Sequence, residues 1–113
     1  MKIYCFDLDD TICFPNHEYK DTYKKYIQAK PNYQMIEKIN KLYDDGNKIL
    51  IFTARRMLTH DGDLEKIKED VEEITISWLS KYSVNYNELI FGKPYADFYV
   101  DDKGINLKEF LDE

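Results

Sequence analysis

Carboxylates gather at two places in this chain. Asp7, Asp9 and Asp10 stand close together near the start, with Thr11 behind them, and Asp101 and Asp102 form a second pair near the other end. Between them lie Thr53, Ala54, Arg55 and Arg56, and later Lys93. If Asp7, Asp9 and Asp102 converge, like charges a few ångström apart cannot all stay ionised unaided. A divalent cation resolves that conflict, and carboxylates, a backbone carbonyl and waters form the all-oxygen set that suits Mg²⁺. Lys93 adds a positive charge. Such a site attracts a phosphate dianion even in an acidic protein. Taken singly, these residues have plainer uses: Asp9, Asp10 and Thr11 can cap a helix or shape a turn.

The elements around these residues decide whether they meet. Residues 2–8 (KIYCFDL) form a short apolar run of β-formers that leads into Asp9 and Asp10. Residues 11–20, with Pro15, Asn16 and His17, read as a turn-rich flap, and 21–30 as a short helix halted near Pro31. Met35, Ile36, Ile39, Leu42 and Tyr43 recur at helical spacing over 32–45, and Gly46 is a natural stop. Residues 48–53 (KILIFT) are a buried strand, 54–63 a polar loop, and 64–82 the longest helix, with Leu64, Ile67, Val71, Ile74, Trp78 and Tyr82 on one stripe. Short strands are expected at 88–91 and 96–100, and a terminal helix at 105–111. Alternating strands and helices imply an α/β fold, a three-layer Rossmann-like, mostly parallel sheet with helices on both faces. In such sheets ligands bind beyond the carboxyl ends of the strands. The reactive residues fall there: Asp7, Asp9 and Thr11 after the first strand, Thr53 and Arg55 after the next long one, and Asp101 and Asp102 after the last.

The runs FDLDDT (Phe6 to Thr11), IFTAR (Ile51 to Arg55), GKP (Gly92 to Pro94) and YVDDK (Tyr99 to Lys103) together resemble the four signatures of the haloacid dehalogenase (HAD) superfamily of phosphohydrolases, in order and over residues 2–103. The resemblance implies roles. Asp7 would be the nucleophile that takes the phosphoryl group as an aspartyl-phosphate. Asp9 would be the general acid and then the base, its backbone carbonyl also binding the metal. Thr53 would hydrogen-bond a phosphoryl oxygen, and Lys93 would pair with the phosphoryl and with Asp7. Asp7, the Asp9 carbonyl and Asp102 would hold Mg²⁺, with Asp101 orienting Lys93 or supporting the metal ligands. Cap insertions of this superfamily fall after the first motif or between the second and third. Neither gap here has room for one, so the chain is expected to be capless. Similar capless sequences are associated with bacterial surface-polysaccharide biosynthesis.

Around this centre, Arg55 is placed to touch a substrate phosphate or carboxylate, and of Arg55 and Arg56 one is expected to be functional and one solvated. Asn16, His17 and Tyr19 of the flap are either leaving-group readers or an exposed turn. His60 is expected in solvent, Asp10 in a structural role, Cys5 in a core strand and Cys13 as a small buried residue.

Composition sets the outer bounds. The chain has 113 residues, ten Tyr, six Phe and one Trp, too much core-forming material for a disordered segment. Residues 1–113 are expected to be a single domain. The formal net charge is −6, and an acidic surface argues against nonspecific nucleic-acid binding. No apolar run approaches the roughly 20 residues of a membrane helix, and the start of the chain breaks into carboxylates too early for a signal peptide. Two cysteines make neither a disulfide framework nor a zinc site, so a reduced, cytoplasmic setting is expected. The reading is a Mg²⁺-dependent phosphatase of a small phosphorylated metabolite (a sugar, polyol or amino-alcohol phosphate), with a homo-oligomer partly covering the open site. The alternatives are a polynucleotide-end phosphatase, a phosphotransferase of the same superfamily, and a receiver-like phospho-acceptor domain. A receiver carries its phosphorylated Asp alone on a middle strand, where this chain has Thr53.

Overall fold

A computed structural model describes residues 1–112; Glu113, the last position of the expected domain, lies outside the described residues. Strand β1 (Ile3–Asp7) is followed by a small flap, in which β2 (Cys13–Phe14) pairs antiparallel with β3 (Lys30–Pro31) and helix α1 (Thr22–Ile27) sits between them. Then come α2 (Tyr33–Asp44), β4 (Lys48–Thr53), α3 (Leu64–Lys81), β5 (Glu88–Phe91) and α4 (Leu107–Asp112).

Local chemistry explains the helix bounds. The Asn32 side chain caps α2 by accepting from the Met35 amide, and Gly46, with φ of +92°, turns the chain out of its far end where a side chain would be strained. Asp63 caps α3 by accepting from the Lys66 amide. Strand β4 alternates, with Ile49, Ile51 and Thr53 buried.

Among the described residues the main sheet has three parallel strands in the order β1-β4-β5. The register sets Tyr4 beside Ile49, Phe6 beside Ile51 and Thr53 beside Phe91, so these six share one face. Onto that face pack Ile36 and Ile39 of α2, Trp78 and Leu79 of α3, and Phe110 of α4. Both crossovers progress in the same direction across the sheet, and right-handed connections then put α2 and α3 on the same side. The expected second helical layer is therefore not supplied by the described residues. The opposite face, carrying Ile3, Cys5, Leu50 and Phe52, is half-buried to exposed. Among the described residues no cap covers the carboxyl edge.

The expected strand at 96–100 is the main departure. Residues 94–106 run as an irregular exposed segment, with Phe98 86% and Val100 96% exposed. A strand is defined by the neighbour it pairs with, and this segment has none. Tyr99 instead turns back, its hydroxyl donating to the Pro94 carbonyl and accepting from the Ala96 amide.

Candidate active site

The carboxyl ends of β1 and β4 and the turn after β5 form an open cavity of about 440 Å³, lined by Asp7, Asp9, Arg55, Arg56, Lys93 and the rings of Tyr26, Tyr95 and Tyr99, among others. Parallel pairing delivers the parts: Asp7 ends β1 opposite Phe52, and Thr53 ends β4 opposite Phe91. Gly92, with φ of +99°, then bends the chain so that the Lys93 amide donates to the Thr53 carbonyl at 3.1 Å.

Asp7 is the more accessible acid, with 39% of its side chain exposed. One oxygen accepts from the Leu8 amide at 3.0 Å and lies 3.7 Å from the Lys93 ammonium. Burial raises the Asp7 carboxyl above the usual range and outweighs the opposing pull of Lys93. Lys93 also lies over the Tyr99 ring, 4.2 Å from its centre.

Asp9 is held differently. Arg55 reaches it with three donor contacts: Nε at 3.1 Å and Nη2 at 2.8 Å to Oδ1, and Nε at 2.9 Å to Oδ2. Cys13 Sγ is also 3.4 Å from Oδ1. Oδ1 is therefore crowded, whereas Oδ2 accepts only from Arg55 Nε. The guanidinium is buried, and its Nη1 donates to Thr75 Oγ1 at 2.9 Å while the Tyr26 ring stacks on it at 4.0 Å. Burial alone would lower the Arg55 pKa, but the Asp9 hydrogen bonds and charge hold it above its ordinary value. Arg55 lines the cavity, and its guanidinium is engaged by Asp9, Thr75 and Tyr26.

Thr53 is 1% exposed and its hydroxyl accepts from the Arg55 amide at 3.1 Å. It supports the turn beneath the cavity. Arg56, with φ of +61°, bonds Asp70 at 2.8 Å, and His60 bonds the same Asp70 oxygen at 2.8 Å. His60 is thus tied down and not simply solvated. Burial of Asp70 is outweighed by these two donors, which hold its carboxyl below the usual range. Asp10, at φ of +64°, shapes the turn with its amide on the Cys13 carbonyl, and the Asn16 side chain accepts from the Glu18 amide. Cys13 is buried as expected, whereas Cys5 is exposed, contrary to its expected core position, because the face it occupies has no covering layer.

Asp101 and Asp102 do not join this group. Both are exposed on the irregular segment, and the Asp101 carboxylate accepts from the Lys103 amide. Among the described residues no three His, Cys, Asp or Glu side chains gather at metal-binding distance. Of the residues expected to hold Mg²⁺, Asp7 and Asp9 line the cavity and Asp102 does not. Sequence reasoning missed Tyr26 and Thr75. Thr75 had a signal: it is a polar residue at a buried position of the apolar stripe of α3.

An α/β core with a parallel sheet, carboxylates at its carboxyl edge and no cap defines the HAD-like phosphatase class. The chain belongs to the polynucleotide kinase 3 phosphatase family, which it matches over residues 2–95. A crystal structure from Vibrio cholerae is similar at 32% identity with a TM-score of 0.87, covering 100% of this chain and 89% of that one. Two structures of Pnkp1/Rnl/Hen1 assemblies share the fold. The one described as an RNA repair complex has 19% identity and a TM-score of 0.61, covering 87% of this chain and 27% of that one. The other has 23% identity and a TM-score of 0.58, covering 99% and 34%. This chain spans about a third or less of those two polypeptides. No curated protein matches the sequence. Among the described residues no helix is long and apolar enough to cross a membrane.

Proposed function

We propose that the protein is a cytoplasmic phosphatase that hydrolyses small phosphate monoesters through an aspartyl-phosphate on Asp7. The observation that carries this reading is the division of labour between two neighbouring carboxylates. Asp7 is accessible and faces an ammonium, and Asp9 is clamped by Arg55, with Oδ2 accepting a single hydrogen bond, from Nε. In the first step an Asp7 oxygen attacks phosphorus, the ester P–O bond breaks, and the proton on Asp9 goes to the leaving oxygen. In the second, water attacks the phosphoryl-aspartate, Asp9 takes its proton, and the P–O bond to Asp7 breaks to release orthophosphate. Lys93 neutralises charge on the phosphoryl oxygens throughout. Mg²⁺, when bound, would be held by Asp7 and the Asp9 backbone carbonyl, with Asp102 as the third expected ligand, and would supply further positive charge for the phosphoryl oxygens.

A cavity of about 440 Å³ suits a small ester, and the net charge of −6 disfavours a long anionic strand. The resemblance to polysaccharide-associated sequences directs attention to sugar and polyol phosphates. A second reading, a phosphatase of polynucleotide ends, is favoured by the family and by the repair complex of a fold relative. The test is release of orthophosphate from sugar, polyol and amino-alcohol phosphates and from a 3′-phosphorylated oligonucleotide, with and without Mg²⁺. Faster kcat/KM on one or more metabolites supports the first reading. Preference for the oligonucleotide replaces it with the second, and no release from any ester refutes both.

A further inference from the structure

Charge is spread unevenly over the cavity wall. The chain carries a net charge of −6, yet Lys25, Arg55, Arg56 and Lys93 all line this one cavity. The acids facing them are Asp7, Asp9 and Asp10. Two of the cations are matched inside the cavity: Arg55 clamps Asp9 at 2.8 Å, and Lys93 faces Asp7 at 3.7 Å. Lys25 and Arg56 are not. Among the described residues neither forms an ion pair with Asp10 or with any other acid of the wall.

Arg56 is built into that wall at a cost. Its φ of +61° is left-handed backbone, which a residue with a long side chain rarely adopts. Its Nε donates to Asp70 Oδ2 at 2.8 Å, and Asp70 belongs to α3 and is not part of the cavity lining. This bond holds the guanidinium plane and leaves Nη1 and Nη2 without a hydrogen bond among the described residues. Fastening the loop to α3 does not need the arginine, since His60 of the same loop binds the same Asp70 oxygen at 2.8 Å. The turn does not need it either, because glycine or asparagine would sit there with less strain. A guanidinium with both terminal nitrogens unfilled matches a carboxylate or a phosphate through two parallel hydrogen bonds. Lys25 reaches the same cavity from α1 and adds a point charge.

We propose that Arg56, assisted by Lys25, forms a second anion site beside the reaction centre, and that the preferred esters carry a carboxylate or a second phosphate on the leaving group. The site rests on reading Asp7 as the nucleophile, since the phosphoryl group at Asp7 and Lys93 is what makes an anion at Arg56 the second one. A cavity of about 440 Å³ has room for more than a phosphoryl group. The leaving group keeps its distant anion through the reaction, so Arg56 holds substrate and transition state alike, and its effect falls mainly on KM.

Orthophosphate release is measured on two matched pairs of esters. Glycerol 3-phosphate against 3-phosphoglycerate reads the carboxylate, and fructose 6-phosphate against fructose 1,6-bisphosphate reads the second phosphate. In at least one pair the member with the second anion should have a kcat/KM ~10-fold higher or more, as a charge-assisted hydrogen-bonded pair supplies. The pair that shows the preference names the anion. In Arg56→Gln the ratio should fall close to parity. Arg56→Asn, which suits a left-handed turn, repeats the test with the backbone kept, and a thermal melt checks that it is folded. A wild-type ratio at or below parity in both pairs overturns the proposal. So does a ratio that survives both substitutions, including equal losses on both esters of a pair. Calorimetric binding of the same esters to the Asp7→Asn chain gives a readout without turnover. Tighter binding of the doubly anionic ester, lost on adding Arg56→Gln, in a protein whose wild type releases no orthophosphate keeps the anion site and removes the phosphatase reading. Release from all four esters with no difference in kcat/KM or in binding removes the anion site and keeps the phosphatase reading.

Discussion

Thr75→Val isolates the device that orients Asp9. Thr75 is fully buried; its hydroxyl accepts from Arg55 Nη1 at 2.9 Å and donates to the Val71 carbonyl at 2.7 Å. Valine has the same shape, so no cavity forms. The Val71 carbonyl keeps its helical amide partner, which leaves one cationic N–H buried without an acceptor. That loss is worth ~1–3 kcal/mol. At roughly 4 °C per kcal/mol for a domain of this size, melting should fall by ~4–12 °C. Arg55 keeps its Asp9 contacts but loses the anchor that sets its angle. A misaligned general acid forfeits part of the ~10²–10⁴-fold that such a group supplies. The expected fall in kcat is ~10-fold on an alkyl phosphate, whose leaving oxygen needs a proton, and only a few-fold on p-nitrophenyl phosphate, whose leaving group does not. Steady-state kinetics on the two esters and a thermal melt make the measurement. Thr75→Ser keeps both hydrogen bonds and should retain the wild-type ratio between esters. Equal slowing on both substrates, or lower melting with no kinetic change, would refute the link from Thr75 through Arg55 to Asp9.

Three further outcomes are expected. Asp7→Asn should lose more than ~1,000-fold in kcat/KM. Because burial raises the Asp7 pKa, its charged form is disfavoured in the fold. The same variant should therefore melt no lower than wild type near pH 7–8, and a drop of several degrees would make Asp7 structural. The Asp70 carboxyl, held low by His60 and Arg56 despite burial, contributes stability that is present above the unfolded carboxylate pKa and is lost as pH falls through its folded value. Asp70→Asn should thus lower the melting temperature at pH 6–7 and flatten its acid dependence, and an unchanged melting curve across pH would contradict that pairing. At Gly92, φ is +99° and an added Cβ would meet Leu64 Cδ2 at 2.7 Å. Gly92→Ala should cost ~1–2 kcal/mol in a denaturant titration, with wild-type stability counting against the strained turn.

Much of the architecture is local and was readable along the chain. KILIFT is a strand because Ile49, Ile51, Phe52 and Thr53 favour β structure and alternate residues enter the core, and α2 runs from a capping Asn32 to a breaking Gly46. The same holds for Asp7, Asp9, Thr53 and Lys93, which come together because each ends or closely follows a strand and parallel strands end at a common edge. What Arg55 does was not readable. Its partners, Asp9 and Thr75, lie 46 and 20 residues away, and no periodicity links an arginine in a loop to a threonine on a helix stripe. His60 is the same case, since its pairing with Asp70 exists only once the loop has packed on α3.

The segment 96–100 marks the boundary between the two kinds of information. Its β preference and the acids that follow it are properties of the sequence. Whether it is a strand depends on an edge to pair with, and in the chain taken alone β1 keeps that edge open while Phe98 and Val100 face water. Side-chain period, capping residues and motif order act over a few residues and survive in one dimension. Pairing and burial are contacts between distant residues, and only tertiary structure decides them.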